Sequence, residues 1–104
     1  LQVRTRDGGW IEAPPLPGTL VCNIGDLLQR WSNDRFASTV HRVINRTASA
    51  RYSIPVFYDP NTATCIDPHD LGVARDACRY DPVEAGAHIA GRNRKSFAQF
   101  QETK

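Results

Sequence analysis

At 104 residues the chain is long enough for one small domain and too short for two with separate cores. Its 13 basic and 11 acidic residues leave a net charge of +2 and are scattered rather than gathered into runs, which excludes the strong electrostatic footprint of a nucleic-acid or anionic-lipid binder. No stretch approaches the ~20 apolar residues of a membrane span, and no basic-then-apolar secretory leader opens the chain; the expectation is a cytoplasmic protein acting on small molecules, with no membrane, nucleic-acid or obligate protein partner.

The chain contains no methionine and opens on Leu1-Gln2-Val3, which already reads as strand, so it looks like an excerpt of a longer protein. Residues 1–5 and 10–13 flank Asp7-Gly8-Gly9, whose Asp-Gly step predicts a hairpin with the two segments antiparallel. Pro14, Pro15, Pro17 and Gly18 interrupt the ladder, and residues 19–24 resume it as a buried strand in which Cys22 is a small hydrophobe. Cys22, Cys65 and Cys78 are odd in number and widely spaced, with no C-x-x-C, which argues against a disulfide framework and against structural zinc.

Gly25 closes that strand, and Asp26 is placed to cap a short helical turn through Leu27, Leu28 and Trp31 before the turn residues Ser32-Asn33-Asp34-Arg35. Residues 39–45 and 51–58 then read as two strands joined by a polar loop of hairpin length. The stretch 59–80, rich in Asp, Pro and Gly, reads as a surface loop. Asp81-Pro82-Val83-Glu84 has the residue types of a helix start, predicting a C-terminal helix over 81–101 whose apolar stripe is Val83, Ala87, Ala90 and Phe97.

Alternation along a strand puts Thr39, His41, Val43 and Asn45 on one face and groups Arg51, Ser53, Pro55 and Phe57 on the partner. In a regular hairpin with Asn45 opposite Arg51, His41 falls opposite Pro55, and an imidazole, a guanidinium and a hydroxyl converge on one surface. Imidazole is a good iron(II) ligand, and a guanidinium beside a hydroxyl holds a carboxylate by charge-assisted hydrogen bonds, a combination suited to a metal and an anionic cosubstrate. On residue types alone, a histidine in a strand is more often a hydrogen-bonded structural residue than a ligand.

Asn23-Ile24-Gly25-Asp26, then Trp31-Ser32-Asn33-Asp34-Arg35-Phe36, Ser38, His41-Arg42-Val43, Asn45 and Arg51-Tyr52-Ser53 together resemble one block of the isopenicillin N synthase-like iron(II)/2-oxoglutarate-dependent dioxygenases. Leu1-Gln2-Val3 is similar to the start of that family's C-terminal half, and Tyr80-Asp81-Pro82-Val83 with Gly86 resembles its final helix entry. The resemblance implies a mainly β fold, the C-terminal part of a double-stranded β-helix of jelly-roll type closed by an α-helix. It gives His41 the place of the distal histidine in a two-histidine, one-carboxylate iron site, and gives Arg51 and Ser53 the far carboxylate of 2-oxoglutarate.

Gly25 and Asp26 would serve a structural turn, and Asn23 would lie near the pocket wall. No catalytic residue beyond the metal site is implied. The implied cofactors are Fe(II) and 2-oxoglutarate, with ascorbate in support. The implied reaction is oxidation of a small molecule by O2, as hydroxylation, desaturation or ring closure, with release of succinate and CO2.

The H-x-D motif that supplies the other family ligands occurs nowhere in the chain, so the fragment alone is expected to be inactive. His69-Asp70 and His88 are expected on solvated surface. Two alternatives stay open: a related iron oxidase that uses the R-x-S pair for a substrate carboxylate, and a non-catalytic jelly-roll binding module.

Overall fold

The computed structural model describes residues 1–96. Strands β1 (Gln2–Arg4) and β2 (Trp10–Glu12) form the hairpin the Asp-Gly step predicts, antiparallel with Val3 opposite Ile11. Its turn closes through Thr5 N to Gly9 O at 2.9 Å and a hydrogen bond from the Thr5 hydroxyl to the Asp7 carboxylate, and Gly8 takes a positive φ of 90° that glycine adopts without strain.

Strand β3 (His41–Arg42) joins the other edge of β1, giving the order β2-β1-β3. In this register Glu12, Gln2 and Arg42 form one lateral row, and Ile11, Val3 and His41 form another on the opposite face. The first row is cross-linked: Arg42 Nε donates to Gln2 Oε1 at 2.9 Å, and the Arg42 guanidinium lies 4.0 Å from the centre of the Trp10 ring.

The predicted pairing of 39–45 with 51–58 is not formed. The strand that carries His41 pairs with β1, and residues 51–58 belong to no ladder. Apolar side chains there are turned to solvent, with Tyr52 at 89% and Ile54 at 90% exposure. The segment 19–24 behaves alike: it forms no strand, Leu20 is 97% exposed, and Cys22 is exposed rather than buried. Alternating apolar residues make a strand only where a neighbour supplies hydrogen bonds and a face to pack on, and residues 1–96 supply neither to these two segments.

Helix α1 (Asp26–Trp31) forms where the Leu27, Leu28 and Trp31 spacing predicts it. Its N-cap, however, is Gly25, without a side-chain cap bond; Asp26 is the first helical residue, so its carboxylate is free for longer-range contacts. The core sits where α1 meets the segment expected to be a surface loop: Leu27, Ile66 and Ala85 are buried, with Trp31, Val83 and Ile89 packed around them.

Ile66 lies on strand β4 (Cys65–Ile66), which pairs antiparallel with β5 (Val83–Glu84). Beyond β4, buried Asp67 caps a 3-10 turn over Pro68–Leu71 by accepting from His69 N at 2.9 Å, and Gly72 ends it at a φ of 82°. That backbone hydrogen bond, helped by Arg75, holds the Asp67 carboxyl below the ordinary carboxylate range.

Because β5 uses Val83 and Glu84, helix α2 (Ala85–Ser96) starts four residues later than predicted. Ala85 and Ile89 face the core, while Ala87 and Ala90 of the expected stripe are exposed. The predicted continuation of the helix to 101, including Phe97, lies outside the described residues.

Gly86 enters α2 against Thr62, whose carbonyl accepts its N–H at 2.8 Å. A Cβ at this position would meet the Thr62 Cβ at 2.9 Å and its carbonyl oxygen at 3.2 Å. Gly86→Ala is therefore expected to destabilise the fold by about 1–3 kcal/mol, the cost of overpacking a closed contact. A denaturant midpoint equal to that of the unaltered protein would show that Thr62 yields without cost.

Candidate functional site

His41 stands at the edge of the three-stranded sheet, in the row with Val3 and Ile11. Its Nδ1 lies 3.1 Å from the carbonyl oxygen of Thr39. A carbonyl only accepts, so Nδ1 carries the hydrogen, and the lone pair of Nε2 is left for another partner. That is the arrangement by which proteins orient a metal-binding imidazole.

The strand delivering His41 is anchored by α1. Ser38 N donates to Gln29 Oε1 at 2.6 Å, and Gln29 Nε2 donates to Asp34 Oδ1 at 3.0 Å. Within the Trp31–Phe36 block, the buried Ser32 hydroxyl donates to Gln29 O at 3.1 Å and accepts from Phe36 N at 3.1 Å.

Asn33 and Asp34 take positive φ angles of 55° and 68°, a region that Asn and Asp enter more readily than other side-chain-bearing residues. The turn aims both side chains at the segment before α2. Asn33 accepts from Arg79 N at 2.8 Å and donates to Ala77 O at 3.1 Å. Asp34 accepts from the Tyr80 hydroxyl at 2.7 Å and from Arg79 Nη1 at 2.9 Å. Tyr80 above all, with Arg79 and Gln29, holds the Asp34 carboxyl below its usual range, and the same contact pushes the Tyr80 phenol up.

These contacts shape a cleft of about 520 Å3 whose lining includes His41, Tyr80, Asp26, Arg30, His88 and Arg92. His88 is not on solvated surface as expected; its side chain is 18% exposed and its Nε2 lies 3.2 Å from Asp26 Oδ2. His69 is exposed, and its Nδ1 faces Val73 O at 3.0 Å.

Arg51 lines a second, smaller cleft of about 390 Å3 together with Asn45, Glu12 and Leu1. Asn45 organises the intervening loop, donating to Ser49 O at 2.9 Å and accepting from Thr47 N at 3.2 Å. Ser53 is exposed and lines neither cleft. His41 and Arg51 thus face different clefts, because the hairpin expected to join their strands is absent.

Among the described residues no three His, Cys, Asp or Glu side chains are grouped to hold a metal ion, and no helix is long and apolar enough to cross a membrane. His41 and His69 each commit Nδ1 to a backbone carbonyl, and Arg51 is one of several exposed guanidinium groups. Sequence reasoning did not foresee Asp26, Arg30 and Arg92 in the His41 cleft. The spacing of His88 and Arg92, four apart on one helix face, was the signal available.

The profile described as the 2OG-Fe(II) oxygenase superfamily matches residues 1–60, a span that includes His41, Arg51 and Ser53. The chain belongs to this superfamily.

It is 43% identical over 99 residues to a homoarginine-6-hydroxylase of Glycine max, a match covering 93% of this chain and 30% of that protein. It is 34% identical over 98 residues to the 2-oxoglutarate-Fe(II) type oxidoreductase hxnY of Emericella nidulans, covering 93% and 28% respectively. A full-length Neurospora crassa protein whose crystal structure was solved in complex with alpha-KG superposes with a TM-score of 0.77 at 38% identity over 88% of this chain and 32% of that one. The chain spans about 30% of the length of the curated relatives it matches.

Proposed function

We propose that this chain is the C-terminal part of a longer Fe(II)/2-oxoglutarate-dependent oxygenase, in which His41 is one iron ligand and Arg51 with Ser53 receives the far carboxylate of 2-oxoglutarate. The observation that carries this reading is the orientation of His41 within the family-matched span: Nδ1 is committed to Thr39, and Nε2 is available to a metal. Bound iron and 2-oxoglutarate supply the oxidation of a small molecule by O2, with succinate and CO2 as co-products.

The protein's own residues supply position. Thr39 sets the imidazole plane, and Gln29 holds the strand through Ser38. The Arg51 guanidinium offers a carboxylate two parallel N–H donors, which Ser53 supplements with a hydroxyl. The unladdered segments 19–24 and 51–58 belong, on this reading, to a double-stranded β-helix whose remaining strands lie elsewhere in the longer protein, and their pairing brings Arg51 to the same cavity as His41. The chain by itself supplies one histidine to the metal and is inactive alone.

The substrate is a small molecule, and the names of the plant relatives make L-homoarginine the first to assay. A full-length oxygenase carrying this segment, given Fe(II), 2-oxoglutarate and O2, is expected to release succinate, at a rate that L-homoarginine stimulates. Substrate oxidation without succinate would overturn the cosubstrate assignment. No oxidation at all, with the protein folded and iron-loaded, would overturn the enzyme assignment.

A further inference from the structure

Helix α2 walls the His41 cleft although little apolar surface holds it there. Ala85 is its buried residue, Ile89 is half-buried, and the exposed remainder is largely polar or small. What fastens it further along is one carboxylate. His88 and Arg92, one helical turn apart and therefore on one face, both reach Asp26 Oδ2, His88 Nε2 at 3.2 Å and Arg92 Nε at 2.6 Å. Asp26 is the first residue of α1, 62 positions before His88, so the contact ties two distant parts of the chain.

The same three side chains line the cleft that holds His41. Arg30, beside them, is occupied at Asp81 O and over the Tyr80 ring, 5.0 Å from its centre. The lining of this cleft thus holds two guanidinium groups and a single carboxylate, of which Arg92 is the one that reaches Asp26.

We propose that Asp26 is a positioning residue: it holds the His88–Arg92 face of α2 across the cleft as the wall against which the substrate rests, and so sets substrate affinity without touching the reacting atoms. Arg92 approaches Asp26 through Nε, and among the described residues its two terminal nitrogens have no hydrogen-bond acceptor, which leaves them to donate to a ligand. With positive charge in excess along the wall, the substrate group it fits is a carboxylate. This inference rests on the oxygenase reading and adds to it the element that recognises substrate.

The test compares the unaltered full-length oxygenase with Asp26→Asn and Asp26→Glu, with L-homoarginine as the probe. Asp26→Asn is expected to raise the KM for L-homoarginine about tenfold, the scale of one charge-assisted contact. The KM for 2-oxoglutarate is expected to stay the same, and Asp26→Glu is expected to recover most of the lost affinity for homoarginine. Amide hydrogen exchange across residues 85–96 is expected to quicken in Asp26→Asn while β1–β3 keep their protection.

Unaltered exchange in α2 overturns the clamp. Faster exchange with an unchanged KM overturns the assignment of α2 as the substrate wall, and so does a fall in kcat alone. Failure of the unaltered enzyme to form succinate is a separate result that strikes the oxygenase reading, and in that case the exchange measurement still decides the clamp.

Discussion

Replacing His41 by alanine in a full-length oxygenase carrying this segment is expected to abolish Fe(II)-dependent succinate formation and to weaken iron binding by more than about 100-fold. Removing a mere hydrogen-bonding partner of a metal ligand already costs about 10–100-fold, and here the ligand itself goes. The fold is expected to survive, because the side chain is exposed at a sheet edge and its polar contact runs to a backbone carbonyl two residues away. The measurements are iron content after dialysis, succinate yield and the circular dichroism spectrum. A variant that retains stoichiometric iron and turnover would remove His41 from the metal site.

Arg51→Ala is expected to raise the 2-oxoglutarate concentration needed for half-maximal turnover by about 10–100-fold, while leaving iron content unchanged. A hydrogen bond to a charged group is worth about 1.5–3 kcal/mol, and about 1.4 kcal/mol is a factor of ten. Arg51→Lys keeps the charge but loses the planar fork, so it is expected to fall between the two. Arg51 makes no ladder contact in the structure, and its loop is held by Asn45, Thr47 and Ser49 instead. The loss therefore belongs to the anion it receives rather than to the scaffold. Saturation curves for 2-oxoglutarate that coincide for Arg51→Ala and the unaltered enzyme would place the cosubstrate carboxylate elsewhere.

Local chemistry was legible in the sequence where it decides structure by itself. The Asp7-Gly8 step specifies a turn with positive φ, and the hairpin of Gln2–Arg4 with Trp10–Glu12 follows in the register that places Val3 opposite Ile11. The short helix at Leu27, Leu28 and Trp31 is likewise local.

The partner of the His41 strand was not legible. Alternation in 39–45 and 51–58 says which residues share a face, but it does not say which neighbour a strand chooses. The distant β1, far upstream in the chain, took the edge instead. The segment 59–80 misled in another way: its Asp, Pro and Gly residues are turn chemistry, as expected, yet between those turns they place Ile66 at the centre of the core. Composition describes how the backbone bends and is silent on a single apolar residue that the bends enclose.

At the site, the resemblance that singled out His41, Arg51 and Ser53 rests on short motifs within residues 1–60, and the superfamily match covers that same span. The acid–base contact among Asp26, His88 and Arg92 joins residues too far apart in the chain for any spacing rule to pair, although the one-turn offset of the last two was visible.

The placement of Ile66 and Ala85 has a practical corollary for anyone who trims the protein. The portion that the superfamily profile recognises stops at residue 60, whereas Ile66 and Ala85, two of the three buried members of the core cluster among the described residues, come after it. A shortened version cut at that limit would retain every residue assigned to iron or cosubstrate and yet leave Leu27 and Trp31 without the surface they lean on. The packed core therefore reaches at least to Ala85 in α2, past the end of the recognisable motif.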